Sequence, residues 1–189
     1  MKKYELLVDD TITFFGVQLF RIKALISFSG IEKGELGGYI ASEKNLSQSG
    51  NAWVYGNAWV YGDAEVSGDA RVYGDAEVSG DARVSGDARV YGDAEVYGNA
   101  WVYGDARVYG DAEVSGDADY IVFKNTWSSG RYFTYTKSNK KWRVGCFYGY
   151  GYELIEKAYK DSPKSGDYYK AYVEFVEKLE EIEKIHKEQ

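Results

Sequence analysis

The chain has 189 residues, a formal net charge of −7, 22 glycines against one proline, 19 tyrosines and one cysteine. A lone cysteine excludes an internal disulfide, so the fold does not depend on oxidation. The absence of a basic-then-apolar leader, and of any apolar run of membrane-spanning length, points to a cytoplasmic protein without a membrane partner. Charge is distributed unevenly: residues 1–49 balance, residues 50–119 carry a net −10 with four Arg and no Lys, and residues 120–189 carry +3.

In chain order, residues 1–49 read as an N-terminal β cap with opening coils. Tyr4–Val8 and Thr11–Leu25 contain strand-like runs, and Leu36-Gly37-Gly38-Tyr39-Ile40 leads into the next region. From Gly50 to Ser115 the chain repeats Gly-(Asp/Asn)-Ala-x-Val-(Tyr/Ser) in eleven uninterrupted hexads, followed by a degenerate twelfth, Gly116–Ile121. Ala and Val alternate with period two, so both face inward from a short extended segment. Gly permits the backbone angles of a tight turn, and Asp or Asn can bond its own backbone there. Ile40 and Leu46 extend the Ala register backwards, which would start the repeats near Gly38.

This pattern resembles the hexapeptide-repeat family best known from bacterial acyltransferases. The resemblance covers residues 50–121 and implies a left-handed parallel β-helix, a triangular solenoid with three hexads per coil and about four coils. Residues 18 apart then lie above one another at about 4.8 Å, and the surface sorts into three faces. The first carries Trp53, Arg71, Arg89 and Arg107 beside Tyr55, Tyr73, Tyr91 and Tyr109. The second carries Trp59, Glu77, Glu95 and Glu113 beside Tyr61, Ser79, Tyr97 and Ser115, with Asp75, Asp93 and Asp111 in its turns. The third is mixed: Glu65, Arg83, Trp101 and Asp119 beside Ser67, Ser85, Tyr103 and Ile121.

Residues 122–189 read as an α+β module. Tyr120–Phe123, Arg131–Thr136 and Lys141–Tyr148 are predicted strands, the last two forming a hairpin across Lys137–Lys140. Tyr152–Lys160 is predicted as a short helix. A second helix runs from about Asp167 to the end, with Tyr172, Phe175, Leu179 and Ile182 on its apolar stripe. The Leu-Gly-Gly lead-in and the Val144-Gly145-Cys146-Phe147 segment are similar to flanks of hexapeptide-repeat proteins of bacteria and their phages. That similarity implies a mobile-element context and a bacterial host cell.

The residues that carry acyl transfer in that family include a histidine as general base. The single histidine here, His186, stands near the end of a charged helix and reads as a solvated residue. Zinc hydratases on this fold need three histidines, which this chain lacks. Cys146 reads as a buried structural thiol. No catalytic residue, metal or cofactor is therefore expected, and fold alone does not imply the reaction.

Three surfaces remain as candidates. The acidic rod carries net −10 over roughly 19 Å of stacked coils, a density of about one charge per 1.9 Å against about one per 1.7 Å for duplex DNA. The Asp75, Asp93, Asp111, Glu77, Glu95 and Glu113 surface could thus mimic nucleic acid in a partner's basic groove. The Arg71, Arg89, Arg107, Tyr73, Tyr91 and Tyr109 face has the residue types of interface hot spots. Lys124, Arg131, Lys137, Lys140, Lys141 and Arg143, interleaved with aromatics, have the composition of an anion or nucleic-acid patch. The expected function is that of a non-catalytic interaction protein, inhibiting or scaffolding a macromolecular partner, with counter-defence inhibition of a CRISPR nuclease as a concrete form. A transferase-like enzyme with a site between subunits and a structural part of a virion or surface assembly are the alternatives. A dimer or trimer is compatible with each.

Overall fold

The computed structural model describes residues 2–116 and 119–187, so Asp117 and Ala118 of the degenerate twelfth hexad lie outside the described residues. The protein is mainly β, with a parallel β-solenoid of about four turns, antiparallel strands at both ends of it in sequence, and two C-terminal helices. By compactness the chain divides into two units, Met1–Val122 with Thr136–Asn139, and Phe123–Tyr135 with Lys140–Gln189. No helix among the described residues is long and apolar enough to cross a membrane.

The first unit begins with the antiparallel strands β1 (Tyr4–Phe14) and β2 (Val17–Ala24). They meet at Phe15-Gly16, both at positive φ (46° and 81°), the conformation that hairpin turns of matching twist require. This turn interrupts the run expected to continue from Thr11 to Leu25. Strand β3 (Leu36–Ile40) pairs antiparallel with β2 and opens the solenoid.

The solenoid strands follow in chain order: β4 (Trp53–Val54), β5 (Trp59–Val60), β6 (Glu65–Val66), β7 (Arg71–Gly74), β8 (Glu77–Val78), β9 (Arg83–Val84), β10 (Arg89–Gly92), β11 (Glu95–Val96), β12 (Trp101–Val102), β13 (Arg107–Gly110) and β14 (Glu113–Val114). They assemble into three parallel stacks, β4-β7-β10-β13, β5-β8-β11-β14 and β6-β9-β12. Each repeat Val from Val54 to Val96 pairs with the Val eighteen residues on, as Val72 with Val90 and Val90 with Val108. The stack of β5 continues through β3 into β2 and β1, so one sheet of seven strands runs from the N-terminal hairpin to β14.

Every Ala and Val of the eleven hexads is fully buried. A small side chain at the corner and a branched one at mid-strand fill a core too narrow for anything larger, and the β-branched Val suits the pleat. This explains where the expected register fails. Ile40 pairs with Val60 and Leu46 with Val66, a separation of 20 and not 18. Both therefore occupy Val positions, where their bulk fits, and not the Ala corners. Val54 follows Leu46 by eight positions, so two extra residues are absorbed before the regular repeat begins.

Glycine is required at the corners for two reasons at once. Gly68 has φ 68°, and a Cβ there would lie 2.9 Å from the amide nitrogen of Gly86 in the next coil. At the lead-in the reason is close approach alone: a Cβ on Gly38 would lie 2.4 Å from the carbonyl oxygen of Ala58. Turn side chains do more than bond locally, because Asn51 Nδ2 donates to Asp69 Oδ1 of the next coil (2.7 Å) and Asn57 Nδ2 to Asp75 Oδ1 (3.3 Å).

At the far end, β15 (Tyr120–Lys124) leaves the repeat. Tyr120 takes the Val position of the degenerate hexad, buries its ring in the core and donates its hydroxyl to the carbonyl of Trp101 (2.7 Å). Asp119 does not continue the third-face column. Its carboxylate accepts from the backbone of Ser115 and Gly116 (2.7 and 2.9 Å) and closes the last turn. Thr136–Asn139 belong to this unit and cover the edge of β14: the amide of Glu113 donates to Ser138 Oγ (2.8 Å) and Asn139 Nδ2 to Asp111 Oδ1 (3.1 Å). Covered edges keep a solenoid from pairing with further strands.

The second unit contains β16 (Tyr132–Thr136, to Tyr135), β17 (Lys141–Val144), β18 (Phe147–Gly149), α1 (Gly151–Asp161) and α2 (Pro163–Lys187). The strand expected over Lys141–Tyr148 is two antiparallel strands, because Gly145 (φ 58°) turns the chain. Cys146 sits in that turn and is exposed, not buried. Helix α2 starts at Pro163, earlier than expected, since proline lacks only an amide that a first-turn position would leave unpaired anyway. Its buried stripe is Gly166, Tyr169, Val173 and Val176, while Phe175 and Ile182 of the expected stripe are exposed. Tyr169 of the buried stripe and Tyr172 of the expected one both pack on Trp127 and Phe133, so the inward face lies between the two stripes and leaves Phe175 and Ile182 at its edge.

Candidate binding surfaces

The parallel register places Glu77, Glu95 and Glu113 directly above one another on the β8-β11-β14 stack. Asp75, Asp93 and Asp111 stand two residues earlier, in the turns that lead into the same strands. Six carboxylates thus share one sheet at a coil spacing of about 4.8 Å. Like charges directly opposite on neighbouring strands repel. The Glu95 carboxyl registers this: partial desolvation first, and then the charges of Glu77 and Glu113, push it above its ordinary range. Glu95, Glu113, Asp75, Asp93 and Asp111 are exposed, and Glu77 is half-buried.

At the N-terminal end this sheet turns aromatic. Trp59 stands where the Glu column begins, packed against Phe14 with ring centroids 4.9 Å apart. Tyr61 donates its hydroxyl to Glu77 Oε1, and its own ionisation is pushed up to about 12 by burial and by that bond. A cavity of about 460 Å³ is lined by Ile12, Tyr39, Asn57, Trp59, Asp75 and Glu77.

The Tyr/Arg face is built differently. Tyr55, Tyr73, Tyr91 and Tyr109 form one continuous ladder, with ring centroids 6.1, 4.6 and 4.1 Å apart in succession. All four are half-buried. Arg71, Arg89 and Arg107 stack beside them in register. Arg71 reaches Ser29 of the N-terminal segment (3.4 Å), and Arg89 is exposed. Trp53, expected at the head of this face, is fully buried beneath Tyr4 and Phe28. Its position does point outward, but the N-terminal segment covers it, which no periodicity could reveal.

The third face holds a feature that the period alone does not single out. Trp101 and Tyr103 are 46 % and 55 % exposed, with ring centroids 5.2 Å apart, and the Trp101 indole nitrogen donates to Ser85 Oγ (3.1 Å). Trp101 is the one repeat tryptophan far from the N-terminal segment in sequence, a signal that could have marked it.

The six cations of the C-terminal region are divided between the two units. Lys137 belongs to the first unit, near the Asp119 carboxylate, which lies below its ordinary range: burial pushes it up, but the bonds from Ser115 and Gly116 and the Lys137 charge outweigh that. Lys140 pairs with Glu180 at 2.9 Å. Lys124 lies over the Tyr132 ring and Lys141 over those of Tyr148 and Tyr150. Arg143 donates to the carbonyls of Cys146 and Phe147. Arg131 lines a separate cavity of about 250 Å³ with Lys157, Asp161 and the Cys146 turn. His186 is exposed on the last turn of α2.

The chain is similar to the YdcK β-solenoid repeat, whose family profile matches residues 76–92, 82–98 and 88–104. Successive matches are displaced by six residues, the period of the hexads, and cover the central coils. No curated protein matches the chain.

Proposed function

We propose that the protein is a non-catalytic binding protein that docks its acidic sheet into a basic groove of a macromolecular partner. The observation that carries this reading is the unbroken column Glu77–Glu95–Glu113 with its companion aspartates. A ladder of like charges works against the fold that displays it. An array retained at such a cost is explained by a partner that supplies the opposite charge.

The spacing supports a finer version. Carboxylates repeating along a straight edge at about 4.8 Å present a partner with a linear series of negative charge, as a phosphate backbone does. A protein that handles nucleic acid has a groove shaped for such a series. Occupying it would inhibit the partner, and an anti-CRISPR inhibitor encoded by a phage is a concrete instance. The hexapeptide period and the phage-like flanks favour that instance, and the left-handed coil of hexapeptide-repeat proteins would supply the scaffold.

Capture from lysate of a bacterial host tests the reading. Wild type is compared with the triple variant E77K/E95K/E113K and with R71E/R89E/R107E, and bound material is challenged with duplex DNA. The expected result is a captured protein that duplex DNA displaces, that salt releases, and that the glutamate variant fails to hold. Capture unaffected by salt, by DNA and by the glutamate reversals, but lost with the arginine reversals, would transfer the docking role to the Tyr/Arg face.

A further inference from the structure

We propose that the acidic sheet carries, in the cavity at its N-terminal end, a socket for one guanidinium group, filled by an arginine side chain of the partner. The proposal deepens the docking reading above and rests on it for the identity of the partner, though the socket's chemistry can be measured without one.

The cavity joins two kinds of wall. Trp59, Tyr39 and Ile12 supply flat apolar surface, and Asp75, Glu77 and Asn57 supply polar groups. Among the described residues neither Asp75 nor Glu77 forms an ion pair. Each has one oxygen engaged by a neutral donor of its own chain: Tyr61 holds Glu77 Oε1, and Asn57 holds Asp75 Oδ1 at 3.3 Å. These bonds orient both carboxylates and leave Oε2 of Glu77 and Oδ2 of Asp75 to a ligand. Packing of Phe14 on Trp59 fixes the indole that faces the same space.

A guanidinium matches both walls. Its faces are weakly hydrated and stack on aromatic rings, and its edge presents five donors to carboxylates in a rigid plane. An ammonium would have to shed a tighter hydration shell against Trp59 and Tyr39 for fewer oriented bonds. The protein already uses the favoured combination next door. Arg21 lies over the Tyr39 ring with its Cζ 4.4 Å from the centroid, donates to the Tyr39 hydroxyl (2.9 Å) and pairs with Asp10 (3.0 Å). Tyr39 and Trp59 are partners in the β3–β5 ladder and both line the cavity, so the ring that receives Arg21 also borders the socket.

The test uses the full chain and three blocked tripeptides, Gly-Arg-Gly, Gly-Lys-Gly and Gly-citrulline-Gly, with the Trp59 indole N–H followed by NMR. Citrulline keeps the shape of arginine and removes its charge. The arginine peptide should shift the Trp59 signal saturably, with a Kd on the order of a millimolar, and the other two should bind at least about fivefold more weakly. The D75N/E77Q variant should lose the shift, whereas E95Q/E113Q, which removes two of the three glutamates of the column but spares the cavity, should keep it. Equal binding of the citrulline or lysine peptide overturns the guanidinium assignment, and so does a shift that survives D75N/E77Q. If the peptide behaves as expected while the glutamate reversals leave partner capture intact, the socket stands and the docking reading falls. If capture depends on Glu95 and Glu113 but the peptide fails to bind, the docking reading stands and the socket falls.

Discussion

The Glu face and the Tyr/Arg face of the solenoid share one backbone rule, a step of eighteen residues per coil, yet they spend it in opposite ways. On the Tyr/Arg face the pairing extends over four residues, Arg-Val-Tyr-Gly, in β7, β10 and β13. On the Glu face it covers only Glu-Val in β8, β11 and β14. The residue after Val makes the difference. Tyrosine rings in stacked and edge-to-face contact attract across coils and hold the strands together through the corner, whereas Ser79 and Ser115 alternate with Tyr97 and offer no continuous ladder. One face therefore builds the solenoid, and the other is displayed on it at some cost.

The comparison breaks first, and most visibly, at Tyr91. Its ring is flanked by Tyr73 at 4.6 Å and Tyr109 at 4.1 Å, so Tyr91→Ala removes two ring contacts and should cost about 2 kcal/mol in urea unfolding. A loss within experimental error would mean that the ladder is ornament. A smaller contrast is available at the corners. Gly68→Ala meets both an unfavourable φ and the backbone of Gly86, while Gly104→Ala, with φ 63° and open space around it, meets only the first. The second substitution should cost roughly 1–2 kcal/mol and the first clearly more, measured side by side by thermal denaturation.

On the Glu face the expected sign reverses. Glu95→Gln removes the middle charge of the column and should stabilise the chain, by about 0.5 kcal/mol because the group is exposed and screened. Destabilisation would show that the column is not under electrostatic load. The pH dependence sharpens this. The Glu95 carboxyl is raised from an ordinary value of 4.5, so the folded state binds its proton more tightly than the unfolded state does. Its unfavourable contribution is present at neutral pH and fades as pH falls through its raised range. The stability advantage of E95Q should accordingly shrink between pH 7 and pH 4, and an advantage that grew on acidification would contradict the assigned shift. Asp119 and Glu180 are shifted the other way, so whole-chain stability against pH mixes both signs and only the difference between variant and wild type isolates Glu95. The smallest effect is the salt response of that difference: it should diminish from low to high ionic strength, by a few tenths of a kcal/mol at most.

The repeat makes the Ala/Val core and the membership of three surface columns readable in the sequence, since a period of six with three hexads per coil leaves no freedom in what stacks on what. The cavity beside Trp59 was not readable. It needs Ile12 and Tyr39 from outside the hexads to meet Asp75 and Glu77 within them, and no period links those positions. Trp53 shows the same limit, because its outward register holds while Tyr4 and Phe28 cover it. The exposed Trp101–Tyr103 pair stands in the third-face columns, but no period distinguishes an exposed aromatic from a covered one such as Trp53.

The solenoid follows from the hexad alone: a strictly repeated unit assigns each position the same neighbours in every coil, so local chemistry and long-range contact coincide. Where the repeat stops, packing makes the choices. It placed Ile40 and Leu46 at Val positions, because corners sized for Ala do not accept them. It turned Cys146 outward at the Gly145 bend, and it buried Tyr169 and Val173 of α2 in place of Phe175 and Ile182. In those segments the contacts that choose between equally apolar alternatives come from residues distant in the chain, and they exist only once the chain has folded.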